Sequence, residues 1–155
     1  MTESNWTKYI RKALINKGKN LRYETNKSNK NIHIKNSEPI RPDIVWKKDD
    51  KIKIVFEIDT GARDIYPKTI YGSMITGILL AKQKNCKFVE VTPKGSNGKK
   101  ATSLLKLINS QFQKVPKSYV VQIGRLSGKD SEKNIQKSLT KELKKIRLIP
   151  KKKGY

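Results

Sequence analysis

The chain has 155 residues, enough for one domain with a real core and too few for two comfortable ones. Lys and Arg total 36 against 13 Asp and Glu, a formal charge of +23, the electrostatic footprint of a nucleic-acid binder. A membrane-spanning helix is excluded, because the best apolar run, residues 75–81, is interrupted by Thr76 and Gly77 and is far too short. A zinc centre and an internal disulfide are excluded too, since there is one cysteine, Cys86, and one histidine, His33.

Trp6, Tyr9, Ile10, Ala13 and Leu14 recur at helical spacing, with Ser4 or Asn5 as cap and Gly18 as stop, so a first helix is predicted over residues 4–17. Short strands are predicted at residues 21–25 and 32–34, the second containing His33 as an ordinary strand residue. The N-terminus lacks a signal peptide's apolar stretch, which leads to the expectation of a cytoplasmic protein.

Residues 41–61, RPDIVWKKDDKIKIVFEIDTG, read as a hairpin divided by the polar KKDD at 47–50. Side chains alternate along a strand, so parity can be read directly. Ile52, Ile54, Phe56 and Ile58 form a wholly apolar face, and Val55, Glu57 and Asp59 form the other. Matching apolar faces pairs Ile44 and Trp46 with the even set, because a one-residue slip would bury the wrong side chains. Asp43 then shares a face with Glu57 and Asp59. Parity alone brings three carboxylates together.

A helix follows over residues 67–82, with Pro67 in its first turn. Residues 86–92 read as a strand, with Cys86 as a small buried hydrophobe, and PKGSNGK as a loop. A helix over residues 99–114 would turn Leu104, Leu105, Ile108 and Phe112 inward, and residues 118–123 make another strand. The expected fold is α/β, a mixed central β-sheet flanked by helices. From residue 127 the composition shifts. Ile135, Leu139, Leu143 and Ile146 keep helical spacing while Lys133, Lys137, Lys141, Lys144 and Lys145 crowd the remainder. The domain reading is therefore a core over residues 1–126 and a basic helix and tail over 127–155.

Clustered carboxylates repel and are costly to bury unless cations compensate them. Mg²⁺ suits such a cluster, because it takes oxygen ligands, keeps several waters and can be shared with a substrate phosphate. A solvated strand face paired with lysines is the plainer alternative. Pro42-Asp43, the turn, and Glu57-Ile58-Asp59 resemble the PD-(D/E)XK nuclease signature, and the element order over residues 4–123 resembles that superfamily's core. The resemblance implies a restriction-endonuclease-like core, a Mg²⁺- or Mn²⁺-dependent endonuclease acting on DNA, and Asp43 and Glu57 as metal ligands. Asp59 stands where the family usually carries lysine, which makes it a catalytic and ligand candidate and leaves water activation to be explained. Lys68, at the start of the next helix, is a candidate replacement, and Glu3 a candidate accessory ligand by likeness to members with an N-terminal glutamate. Lys99 and Lys100 in the glycine-containing loop, with the lysines of the last helix, are the nucleic-acid-binding candidates; the loop lacks P-loop spacing. Restriction-type cleavage of duplex DNA by a homodimer is the first expectation. A Holliday-junction resolvase and a non-catalytic DNA-binding protein of the same fold are the alternatives.

Overall fold

The computed structural model describes residues 4–27, 40–61, 68–126 and 130–150. Glu3, His33, Tyr66, Pro67 and the expected strand at 32–34 lie outside them.

Helix α1 (Asn5–Asn20) starts where Ser4 accepts a hydrogen bond from the Thr7 N–H. It does not stop at Gly18, which lies buried within it. A Cβ there would run into Thr25 and come within 2.6 Å of Trp46 Nε1, so this glycine serves close packing and not helix termination. Strand β1 (Glu24–Lys27) begins later than the predicted 21–25 and pairs antiparallel with β2 (Ile44–Lys48). β2 pairs antiparallel with β3 (Lys51–Ile58) through a turn of only Asp49 and Asp50. Both turn residues have positive φ, 54° and 60°, the conformation whose twist suits a two-residue hairpin. The register is Ile44↔Phe56, Val45↔Val55 and Trp46↔Ile54, the even pairing expected, and it shifts at a bulge between Trp46 and Lys47.

Helix α2 (Lys68–Lys84) then crosses to β4 (Lys87–Thr92), which lies parallel to β3. Helix α3 (Ser96–Gln111) crosses to β5 (Ser118–Gln122), parallel to β4. Two details of α3 differ from expectation. Residues 96–98, expected in a loop, are its first turn, because Gly95 at φ 151° turns the chain and Gly98 fits where Gln122 would crowd a Cβ at 2.6 Å. Phe112, expected inward, lies one residue past the helix end and is 66% exposed.

The sheet is therefore five-stranded and mixed, ordered β1-β2-β3-β4-β5, with two helices on each face. On one face α1 and α4 (Glu132–Lys145) pack against the even residues of β2 and β3, Ile44, Trp46, Ile54 and Phe56. Trp6 donates from Nε1 to the Ile123 carbonyl at 2.7 Å and Trp46 to that of Leu14 at 3.1 Å, so each buried indole is satisfied. α4 adds buried Ile135, Leu139 and Leu143 to this same core. On the other face α2 and α3 pack against Val45, Val55 and Phe88. Cys86 belongs to that second core, and burial pushes its thiol up to about 11, as fits an inert packing residue. None of the described helices is long and apolar enough to cross a membrane.

Candidate functional site

The antiparallel register, continued two residues past Val45↔Val55, sets Asp43 opposite Glu57. Asp43 is fixed there by the chain itself, because the Ile58 N–H donates to its Oδ2 at 2.8 Å. The Asp43 backbone N–H in turn serves the Glu57 carboxyl. Asp59 lies one step beyond the end of β3, where its N–H donates to the Val91 carbonyl at 3.0 Å and continues the parallel ladder. Asp43, Glu57 and Asp59 thus share the α2–α3 side of the sheet, near the C-terminal ends of its parallel strands.

That side also holds an acid that sequence reasoning passed over. Glu90, in β4, is the registered neighbour of Glu57 across the parallel pair. It is 0% exposed, and its carboxyl lies against that of Asp59. A signal was present: Glu90 is the lone charged side chain between Phe88 and Thr92, in a strand apolar on both faces, and such a charge needs a reason to be there.

The electrostatics follow from this crowding. Burial, above all, pushes the Glu57 carboxyl up to about 10, and the Asp43 charge, a hydrogen bond with Asp43 and the Asp59 charge add to it. Glu90 is driven well above the ordinary carboxylate range, first by burial, then by the Asp59 charge, a hydrogen bond with Asp59, and the Glu57 and Asp43 charges. No lysine or arginine is among the leading influences on either group, in a chain of +23.

Among the described residues, no group of three or more His, Cys, Asp or Glu side chains is placed to hold a metal ion. The geometry gives the reason: Asp43 is turned to the Ile58 N–H and Glu57 to Asp43, so the carboxyls are engaged with the chain and with each other. The donors are nonetheless all carboxylate oxygens, the ligand type a hard cation takes. Mg²⁺ commonly uses one or two carboxylates and takes its remaining ligands from water and a phosphate.

The basic candidates divide between the two faces. Lys99 and Lys100 are exposed in the first turn of α3, on the acid side, where Asn97 Nδ2 donates to the Gly61 carbonyl at 2.9 Å and ties α3 to the loop behind Asp59. Lys68, exposed at the first residue of α2, is on that side as well. Lys133, Lys137, Lys141, Lys144 and Lys145 belong to α4, on the opposite face of the sheet, where several of them line an open groove with Lys17 and Asn20 of α1. Compared with known protein families, with curated proteins and with solved structures, the chain matches none.

Proposed function

We propose that the chain is a divalent-metal-dependent endonuclease that hydrolyses phosphodiester bonds of duplex DNA. The observation that carries this reading is the gathering of Asp43, Glu57, Asp59 and Glu90 at one end of one sheet face, with no cationic side chain among the leading influences on the two most buried of them. A fold that stabilises itself has no use for such a cluster, whereas a site that takes up cations and a phosphate does.

In the reaction, water adds across a P–O bond, yielding a phosphomonoester and an alcohol. Bound Mg²⁺ or Mn²⁺ supplies Lewis-acid stabilisation of the charge that develops on the phosphoryl oxygens. Asp43 and Glu57 would hold it. Asp43 is pre-set for this by the Ile58 N–H, and Glu57 by its place in β3. Lys99 and Lys100, at the start of α3, can take the neighbouring backbone phosphates. The basic groove between α1 and α4 would engage DNA further along, adding affinity without base readout.

Two copies are expected, because symmetric scission of a duplex needs two sites. The outer side of α2 suits self-association: residues 69–81 carry no charge, and Ile75 and Leu79 are 49% and 51% exposed. A reducing cytoplasm accords with the free, buried Cys86.

The second reading, a non-catalytic DNA-binding protein, is favoured by Asp59 at the position of the family's lysine and by the α4 lysines lying across the sheet from the acids. Supercoiled plasmid and a four-way junction, each incubated with Mg²⁺, Mn²⁺ or EDTA, separate the readings. Metal-dependent nicking or linearisation of plasmid is expected, and preferential cutting of the junction would mark a resolvase. Retention of DNA without cutting in either metal supports the binding protein.

A further inference from the structure

The two helical layers of the sheet present different surfaces to solvent. On the α1–α4 side, six lysines and no acid line an open groove. On the α2–α3 side, residues 69–81 carry no charge and residues 101–113 carry one, Lys106, in a chain of which 32% is charged. All four large apolar side chains that stand exposed among the described residues lie on this second layer: Ile75 and Leu79 in α2, Leu107 in α3, and Phe112 just past its end. Gly72, Ile75, Thr76 and Leu79 recur at intervals of three and four, so they form one exposed stripe along α2. At Gly72 the backbone itself is open, with nothing within 4 Å of a Cβ placed there. A neutral, apolar face of this kind marks a binding surface. Charge selects its occupant. An acidic partner would find its match in the lysine groove, on the other side of the molecule. Two copies of a chain of +23 repel, and the α2–α3 layer is where they can meet without setting lysine against lysine.

We infer that a second copy docks here, α2–α3 layer against α2–α3 layer, and that the dimer so formed holds two duplex DNA segments at once. The layer order dictates the second part. With these layers in contact, the two α1–α4 grooves face outward on opposite sides, about 50 Å apart at about 10 Å per layer, so one straight duplex cannot lie in both. The inference rests on the DNA-binding part of the reading above and on no cleavage step; it adds the α3 half of the interface and the bridging of two duplexes. The face measures about 25 Å, the length of α2, by about 20 Å for two helices, so pairing buries about 1,000 Å² in total, the lower limit for a specific interface. Repulsion between the copies weakens it further. The free chain therefore pairs weakly, and DNA in the grooves strengthens pairing by neutralising the lysines. The rival is a monomer whose apolar face is merely solvated.

Two measurements on the full chain distinguish them. In sedimentation velocity without DNA, association should tighten as NaCl rises, because screening relieves like-charge repulsion; DNA binding has the reverse salt dependence. With one duplex fixed on beads and a second, labelled duplex in solution, the wild-type chain should hold the labelled duplex on the beads. Ile75→Gln combined with Leu79→Gln should lower that retention at least about 10-fold and leave affinity for a single duplex within about 2-fold. A chain that stays monomeric at every salt concentration and on DNA overturns the proposal, as does retention that the double variant leaves unchanged. So does a dimer that holds no second duplex. In all three cases the nuclease reading stands, since plasmid cleavage and its loss in Asp43→Asn decide it separately. A chain that binds no duplex overturns both. Should the double variant fail to fold, Leu107→Gln, exposed on α3, is read in the same way.

Discussion

Ile58 donates its backbone N–H to Oδ2 of Asp43 at 2.8 Å, so this acid both faces the site and clasps β2 to β3. The two roles separate by substitution. Asp43→Asn keeps a carbonyl acceptor for Ile58 and should melt within a few degrees of wild type while abolishing metal-dependent cleavage. Asp43→Ala leaves the N–H unserved and should cost about 1–2 kcal/mol in urea unfolding. DNA affinity of Asp43→Asn should hold or rise, since a negative charge facing phosphate is gone. Equal cleavage by Asp43→Asn and wild type would remove Asp43 from the chemistry.

Asp59→Lys restores the residue usual in the resembled family. With Asp59 as a ligand, lysine there should reduce cleavage at least about 10-fold and remove a bound ion. A gain of activity would instead mark the present chain as a decayed nuclease. Plasmid cleavage at fixed Mg²⁺ reads the result directly.

Without metal, stability should depend on pH in an unusual direction. Glu57 binds its proton more tightly folded than unfolded, its ordinary value being 4.5 and its folded value about 10. Between those values the native state holds the extra proton, so stability falls as pH rises, by at most about 1.4 kcal/mol per pH unit for a single group. Melting in EDTA should therefore show a declining midpoint from pH 5 to pH 9, and Glu57→Gln should flatten the decline. A midpoint that climbs with pH in wild type would contradict the burial-driven shift.

The α1–α4 groove should contribute affinity without chemistry. Replacing Lys137, Lys141 and Lys144 by glutamine should weaken DNA binding and reduce the slope of log K against log salt by about 0.9 for each phosphate no longer neutralised. Cleavage at saturating enzyme should change little. An unchanged slope would shift the binding surface to Lys99, Lys100 and the acid side.

Gly77→Ala tests the packing behind the site. A Cβ at Gly77 would come within 2.8 Å of three atoms of the Phe88 ring, two residues before Glu90 on the same face of β4. The substitution should cost about 1–3 kcal/mol, or several degrees in Tm, as the ring is forced aside. Gly72→Ala, on the same helix with open space around it, should be neutral or slightly stabilising.

The hairpin was legible because its two faces differ. Ile52, Ile54, Phe56 and Ile58 alternate with Lys53, Val55, Glu57 and Asp59, and a period of two with one wholly apolar face admits a single register. Glu90 was not legible as part of the site because β4 is covered on both faces, so alternation carries no information about side. Its partnership with Glu57 exists only through a parallel pairing 33 residues apart in the chain. The start of α3 hid for a local reason: Gly95 and Gly98 read as loop residues, and the closeness of Gly98 to Gln122 that explains the second is tertiary. The separation of the α4 lysines from the acids was equally out of reach, since helical spacing reveals an apolar stripe but not which face of a sheet receives it.

The turn at Asp49 and Asp50 lies at the far end of β3 from Glu57, and the bulge between Trp46 and Lys47 stands between that tip and the acid pairing. Eight strand residues at about 3.3 Å each separate the tip from the end of β3 by about 26 Å. A few residues inserted at the tip would be absorbed by turn and bulge before reaching Val45↔Val55, where core side chains lock the register. The tip is therefore a natural attachment point for a fluorophore or tether that leaves the carboxylates at the other end of β3 unobstructed.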